Sequence, residues 1–332
     1  MFSQFDNAGT SAANFLKIGV GGRGTALSGA FVAVVDDPSA LYWNVAGISH
    51  FQQNEIMFSH NDWIADINHS FLAAGFPLKD IGTIGISVSH LSMGEMKVTT
   101  WEETDGTGGT FSAYDIAVGI AYAKKLTDQI SFGIQPKYVS EVISQSNASA
   151  FAIDAGMQYN TEFQGIKLGA ALTNFGTKMR LQGRDTRITI DPFPIAGSNP
   201  NDVVANTETQ EWLLPMTFHF GIAIDALRND NNTLVLNLDY QDERDFMPVP
   251  FLGAEYSFRE TVFLRFGANG FFFDKIMDNK LDEKYVQKAG MSAGVGFHWE
   301  IPETKIVAKI DYSYSDLNIL QSSQRITVGF SF

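Results

Sequence analysis

A closed antiparallel barrel of fourteen membrane-spanning strands, all-β apart from a short N-terminal helical hatch in its lumen, is what this 332-residue chain predicts. Three observations carry it: segments that alternate apolar with small or polar residues, a two-sided asymmetry in connection lengths, and a last strand that ends on an aromatic residue. The stretch Arg325 to Phe332 shows the first and third together. Its period of two puts Ile326, Val328, Phe330 and Phe332 on one side of a sheet and Arg325, Thr327, Gly329 and Ser331 on the other.

Composition agrees with a barrel. Gly (30) and aromatic residues (13%) are abundant and charge (18%) is sparse, while a lipid face and a polar lumen cancel to a near-neutral overall hydropathy. No run of about 18 apolar residues exists, so strands are left as the means of crossing. A net charge of −14 argues against nucleic acid as a partner, because phosphate binding wants a basic surface. Zero cysteines excludes disulfides, zinc-thiolate sites and thiol catalysis. Met1-Phe2-Ser3 begins no signal peptide, having neither a basic start nor an apolar stretch, so the expectation is an exported protein in mature form.

Taken in order, residues 9–50 do not alternate and lie within the expected hatch, residues 1–53. Gly24 to Val35 reads as a small-residue helix, and Asp37-Pro38 as an N-cap followed by proline at the first position of a second helix, Pro38 to Ala46. A fourteen-stranded ring lies between filled eight-stranded barrels and open porins, so a plug inside it is physically sensible. Residues 54–332 form the barrel, with alternating segments beginning near 55, 66, 81, 111, 129, 148, 165, 212, 232, 250, 260, 289, 304 and 323. The cleanest puts Ala289, Met291, Ala293, Val295, Phe297 and Trp299 on one face. With the C-terminus periplasmic, the even-numbered connections should be the short ones, and they are, as in Pro77-Leu78-Lys79-Asp80, Leu126-Thr127-Asp128 and Pro302-Glu303. Long connections around 95 to 110, 177 to 211 and 274 to 288 fall on the opposite side; the short loop after Ile143 breaks the trend. Trp63, Trp101 and Trp212 fall at outer strand ends and Trp299 at an inner one, where an aromatic belt belongs.

The stretch from Asn14 to Gly47, with Gly19-Val20-Gly21-Gly22-Arg23-Gly24, Asp36-Asp37-Pro38 and Trp43-Asn44-Val45-Ala46-Gly47, resembles the opening of the PorV/PorQ family. The hatch-motif residues are Gly21, Gly24, Asp36, Asp37, Pro38, Trp43, Asn44 and Gly47. One departure is Val45, where that family usually has proline. The resemblance implies an outer-membrane barrel of the FadL-like superfamily in a Gram-negative bacterium. It further implies a role, as in Bacteroidetes type IX secretion, in binding exported cargo or the translocon.

Reactive-site readings find little support. Gly19-Val20-Gly21-Gly22-Arg23-Gly24 matches the dinucleotide fingerprint, but amphipathic strands follow rather than alternating strands and helices, and hatch packing is the better reason for the glycines. The six histidines, at 50, 60, 69, 90, 219 and 298, form no close helical pair; His219 and His298 project toward the lumen on separate strands. Asp115, Lys137, Asp154, Asp239, Arg265, Lys309 and Asp311 read as lumen charges that pair with the hatch or one another. Acidic groups crowd the outer loops, at Glu102-Glu103-Thr104-Asp105, Asp242-Glu243-Arg244-Asp245, and Asp274, Asp278, Asp282 with Glu283, without calcium-loop spacing. No enzyme activity, metal or cofactor is expected.

Trp101, Phe193, Ile195, Trp212, Phe271, Phe272 and Phe273 are the candidate partner-binding rim. The leading expectation is thus a non-enzymatic barrel binding a protein partner or cargo signal at its outer rim, with membrane lipid or lipopolysaccharide around it. The alternative is a FadL-like transporter of small hydrophobic molecules, which should line a pocket with apolar side chains. A hydrolase would need a clustered nucleophile and base, and none is found.

Overall fold

The computed structural model describes residues 9–161, 163–190, 203–245, 248–269, 290–317 and 321–332. The barrel strands are β1 (Glu55–Asp62), β2 (Asn68–Pro77), β3 (Thr83–Ser92), β4 (Ala113–Lys125), β5 (Ile130–Ile143), β6 (Ser146–Asn160) and β7 (Ile166–Gly176). They continue with β8 (Thr217–Arg228), β9 (Asn232–Glu243), β10 (Val249–Phe258), β11 (Val262–Asn269), β12 (Met291–Glu300), β13 (Val307–Asp316) and β14 (Ser322–Ser331). Each pairs antiparallel with its sequence neighbours, and β14 returns to β1 in the register Glu55↔Ser331 to Asp62↔Gln324, which closes the ring. Closure leaves no strand edge facing lipid, where an unpaired backbone group costs several kcal/mol, about 4–8 on hydrocarbon scales.

Side-chain alternation does what the sequence asks. Phe58, Leu72, Ile120, Phe218, Leu264 and Ile326 are exposed on the outside, while Ser59, Ala73, Ala121, Thr217, Arg265 and Thr327 are buried within. Strand starts agree with expectation to within three residues except for β8, expected near 212 and found at Thr217. Pro215 has no N–H to donate to a ladder, and Trp212 instead bridges Met179 within the loop. The short connections are closed by backbone bonds such as Leu78 N to Gly82 O (2.7 Å), Leu126 N to Ile130 O (2.8 Å) and Asn229 N to Asn232 O (2.9 Å).

The hatch lies inside the ring, but its first helix is far shorter than expected. In place of a helix from Gly24 to Val35, α1 spans Gly22–Ala26 and gives way to turns, because Ser28 (φ 55) and Gly29 (φ 93) adopt left-handed backbone. The second helix, expected over Pro38 to Ala46, is split: α2 covers Ala40–Trp43 and a 3₁₀ turn covers Val45–His50, with extended Asn44 (φ −161) between. Wall glycines make room for this irregular chain. A Cβ on Gly169 would sit 2.4 Å from Val32 O, and one on Gly267 would sit 2.2 Å from Leu27 C.

Candidate functional site

The site is the lumen, built where hatch meets wall. Arg23, placed by α1, sends Nε and Nη2 to the two carboxylate oxygens of Glu255 on β10 (2.8 and 2.9 Å), and Nη1 to Asp36 and Asp37. Glu255 Oε2 also accepts from Arg265 Nε on β11 (2.6 Å), and Arg265 reaches Asp311 on β13. Buried charges are tolerable only when paired and hydrogen-bonded, and this chain of groups links one hatch residue to three wall strands. The face of Arg23 covers Phe31 at 5.0 Å.

Polar side chains fix the rest of the hatch backbone. Asp239 Oδ2 accepts from Phe31 N (2.8 Å) and Val32 N (2.9 Å). Asn44 donates to Val32 O (2.8 Å) and Met157 O (3.0 Å) while accepting from Ala46 N (3.2 Å). Trp43 Nε1 donates to Val20 O (2.9 Å), and Asp37 Oδ1 accepts from Ser39 N (2.8 Å) ahead of α2. Of the other motif glycines, Gly24 faces the Trp43 indole and Gly47 faces Val35 O, each too close to admit a Cβ, while Gly21 holds φ 74. Pro38 opens the turn into α2, its carbonyl accepting from Leu41 N (3.3 Å).

The outer half of the lumen is different in character. Ala13, Phe15, Leu16 and Ile18 of the N-terminal segment pack against inward-facing Leu91, Ala117, Val139, Ala148, Ala150 and Ala152, together with Met179 and Leu214. Ser11 bridges to Leu213 and donates to Asp245 Oδ1 (2.6 Å), and Ala13 N donates to Glu141 Oε1 (2.9 Å), which pins this segment at the outer mouth. Strands β3 to β6 and the loop after β7 thereby gather small and apolar residues into a greasy wall, and the chain fills it with its own side chains.

Below that wall a cavity of about 40 Å³ is lined by Leu16, Tyr42, Gln135, Lys137, His219 and Glu243, among others. Its size suits a few waters rather than an aromatic ring. Beside it the β4–β5 ladder lacks the pairings of Gln135 and Pro136 between Gly119–Lys137 and Tyr122–Ile134 while keeping its register, and the β6–β7 register shifts between Ile153 and Ala155. At that shift Asp154 Oδ1 accepts from Asn174 N (2.7 Å), and Lys137 pairs with Asp154 (2.8 Å).

The remaining lumen groups are dispersed. Lys309 meets Glu55 (2.9 Å), Asp115 stands on β4, His219 is buried on β8, and His298 lies beside Phe263 with ring centroids 4.3 Å apart. Among the described residues no group of three His, Cys, Asp or Glu side chains is placed to hold a metal.

At the rim, Trp101 is 98% exposed and Trp212 38% exposed. Phe193, Ile195, Phe271, Phe272 and Phe273 lie outside the described residues, as does the acidic run from Asp274 to Glu283. A ribbon of Arg187–Ile190 against Val203–Asn206 projects from the loop after β7. Asp185 ties that loop to the β5–β6 turn by accepting from Gln145 N (2.8 Å) and Ser146 Oγ (2.9 Å). Those bonds, the Gln145 N–H foremost, hold its carboxyl below the usual range.

Sequence reasoning missed the two residues around which the lumen is organised, Glu255 and Phe15. Glu255 alternates inward like its neighbours, and only its charge among Gly253 and Ser257 on the same face marks it. Phe15 lies in a stretch read for its glycines.

With that geometry in view, the model of an uncharacterised protein family (UPF0164) matches residues 3–187. The chain belongs to that family. No curated protein matches this member's sequence. Its fold is similar to that of the CymD monoaromatic hydrocarbon channel, at 11% identity and TM-score 0.54 over 95% of this chain and 98% of that one. A FadL homologue of Pseudomonas aeruginosa aligns at 11% identity and TM-score 0.51, covering 95% and 98%. The toluene transporter TodX of Pseudomonas putida aligns at 10% identity and TM-score 0.52, covering 92% and 96%. This UPF0164 chain therefore has the fold of the FadL-like outer-membrane barrels.

Proposed function

We propose that this protein is an outer-membrane conduit for small hydrophobic molecules, closed in the state seen by its own N-terminal segment. The observation that carries the reading is the apolar wall of the outer lumen, whose occupants Phe15, Leu16 and Ile18 are the chain's own. A path for apolar solutes needs such a wall, because apolar solute in a polar lumen gains nothing over water. The hydrocarbon channel and toluene transporter that share the fold support it. The β6–β7 register shift beside the cavity is where a side exit toward lipid would open. Deleting the gene should lower uptake of labelled toluene or of a long-chain amphiphile, and Phe15→Ala should raise it over wild type.

A second reading, protein docking at the rim as in PorV/PorQ barrels, is favoured by Trp101, an almost fully exposed tryptophan on an outer loop. The same deletion discriminates: unchanged solute uptake with loss of displayed cargo from the surface proteome would overturn the conduit in favour of docking.

A further inference from the structure

On the lipid-facing side, the ladders from β13 through β14, β1, β2 and β3 to β4 align outward residues in rows. The outermost row reads Tyr314, Gln324, Asp62, Asn68, Ser92, Tyr114. Tyrosine at both ends suits the water interface. Two residues deeper along each strand, a step of ~7 Å, the row reads Tyr312, Ile326, His60, Ser70, His90, Ile116. The next is wholly apolar: Ile310, Val328, Phe58, Leu72, Val88, Val118.

His60, Ser70 and His90 thus form a polar notch cut into the apolar band, bounded by Ile326 and Ile116 at its sides and by Phe58, Leu72 and Val88 beneath. The notch opens outward, since Asn61 and His69 on the other face are 0% and 2% exposed while the His60 side chain is 44% exposed. His60 Nδ1 lies 2.9 Å from Ser70 Oγ, and His60 Nε2 lies 3.2 Å from Asp62 Oδ1. The His60 ring stacks on Phe58 at 11°, and the His90 ring rests near Tyr114 at 6.3 Å. His60 is partnered within the notch, but hydrocarbon offers nothing to the His90 imidazole or to the remaining hydrogen-bonding capacity of the Ser70 hydroxyl, whereas headgroup atoms do.

We propose that this notch binds a phosphatidylethanolamine molecule from the surrounding leaflet. Its phosphate accepts from the Ser70 hydroxyl and the His90 imidazole on neighbouring strands, while His60, whose two ring nitrogens face Ser70 and Asp62, orients both of those groups. The ammonium group meets Asp62, whose carboxylate stands one row toward water and would repel a headgroup carrying only negative charge. The acyl chains run down over Phe58, Leu72 and Val88.

The test uses the full chain in detergent with dioleoyl-phosphatidylethanolamine, dioleoyl-phosphatidylglycerol or lipid A, with retained lipid counted by native mass spectrometry. Wild type should retain one phosphatidylethanolamine about tenfold more tightly than H60L/H90L, and Asp62→Asn should narrow its preference over phosphatidylglycerol; tenfold is the scale of one charge-assisted hydrogen bond. The leucines restore the apolar band, and heat-dependent gel mobility checks that the barrel has formed. Ser70→Ala, which removes only a hydroxyl, is the second variant should the double variant not fold. Equal retention by wild type and either variant overturns the proposal, and so does preferential retention of phosphatidylglycerol or lipid A.

Discussion

Glu255→Gln should loosen the hatch without dissolving the barrel. Glu255 accepts two bonds from Arg23 and one from Arg265, all at 2.6 to 2.9 Å, with its side chain 8% exposed. Removing one charge from a buried pair costs about 3–5 kcal/mol, chiefly because the partner is left uncompensated. Arg265 keeps Asp311, and Arg23 keeps Asp36 and Asp37, so the low end, about 3 kcal/mol, applies. Arg23 is the hatch member of the group, so the loss falls on hatch seating rather than on strand pairing. At 1.4 kcal/mol per decade, that is roughly a hundredfold rise in the population of the unseated hatch. The native chain has no cysteine, so Ala33→Cys introduces a single reporter at a hatch position 3% exposed. Its maleimide labelling rate should rise by about two decades in A33C/E255Q relative to A33C, while heat-dependent gel mobility stays unchanged. A rate within about twofold of A33C alone would refute the idea that this ion group seats the hatch.

Gly169→Val should have a similar effect by steric means, since even its Cβ would lie 2.4 Å from Val32 O; labelling at residue 33 should rise while strand content by circular dichroism is kept. Asn44→Ala removes three bonds to hatch and wall backbone from a residue 1% exposed and should lower the midpoint of chemical unfolding by the equivalent of about 2–3 kcal/mol. The carboxyl of Asp185 is held below its unfolded value of about 3.9, so its anchoring is complete above that pH and is lost as pH falls through the lower folded value. Pepsin cleavage in the loop from 177 to 216 should therefore accelerate only below about pH 4, and Asp185→Asn should make it fast at pH 5 as well.

Much of the fold was legible because alternation is local. Whether Phe58 or Ser59 faces lipid follows from neighbours two residues away, and loop lengths then orient the ring. The hatch was legible as a segment but not as a shape: its small residues suggested a long helix, whereas packing against wall glycines bends it at Ser28 and Gly29. Of the rim residues, Trp101 and Trp212 are exposed, as loop positions at strand ends would be.

What the sequence alone determined is the cylinder, its strand number, its two faces and the plug before it. A period of two and a turn length are properties of a dozen consecutive residues. What only the tertiary structure decided is the interior. Arg23 meets Glu255, Phe15 joins Val139 in one apolar cluster, and His60 aligns with Ser70 and His90 because closing the ring and threading the hatch bring distant residues to one level. Such encounters depend on strand register and barrel closure, and no local pattern of residues encodes them.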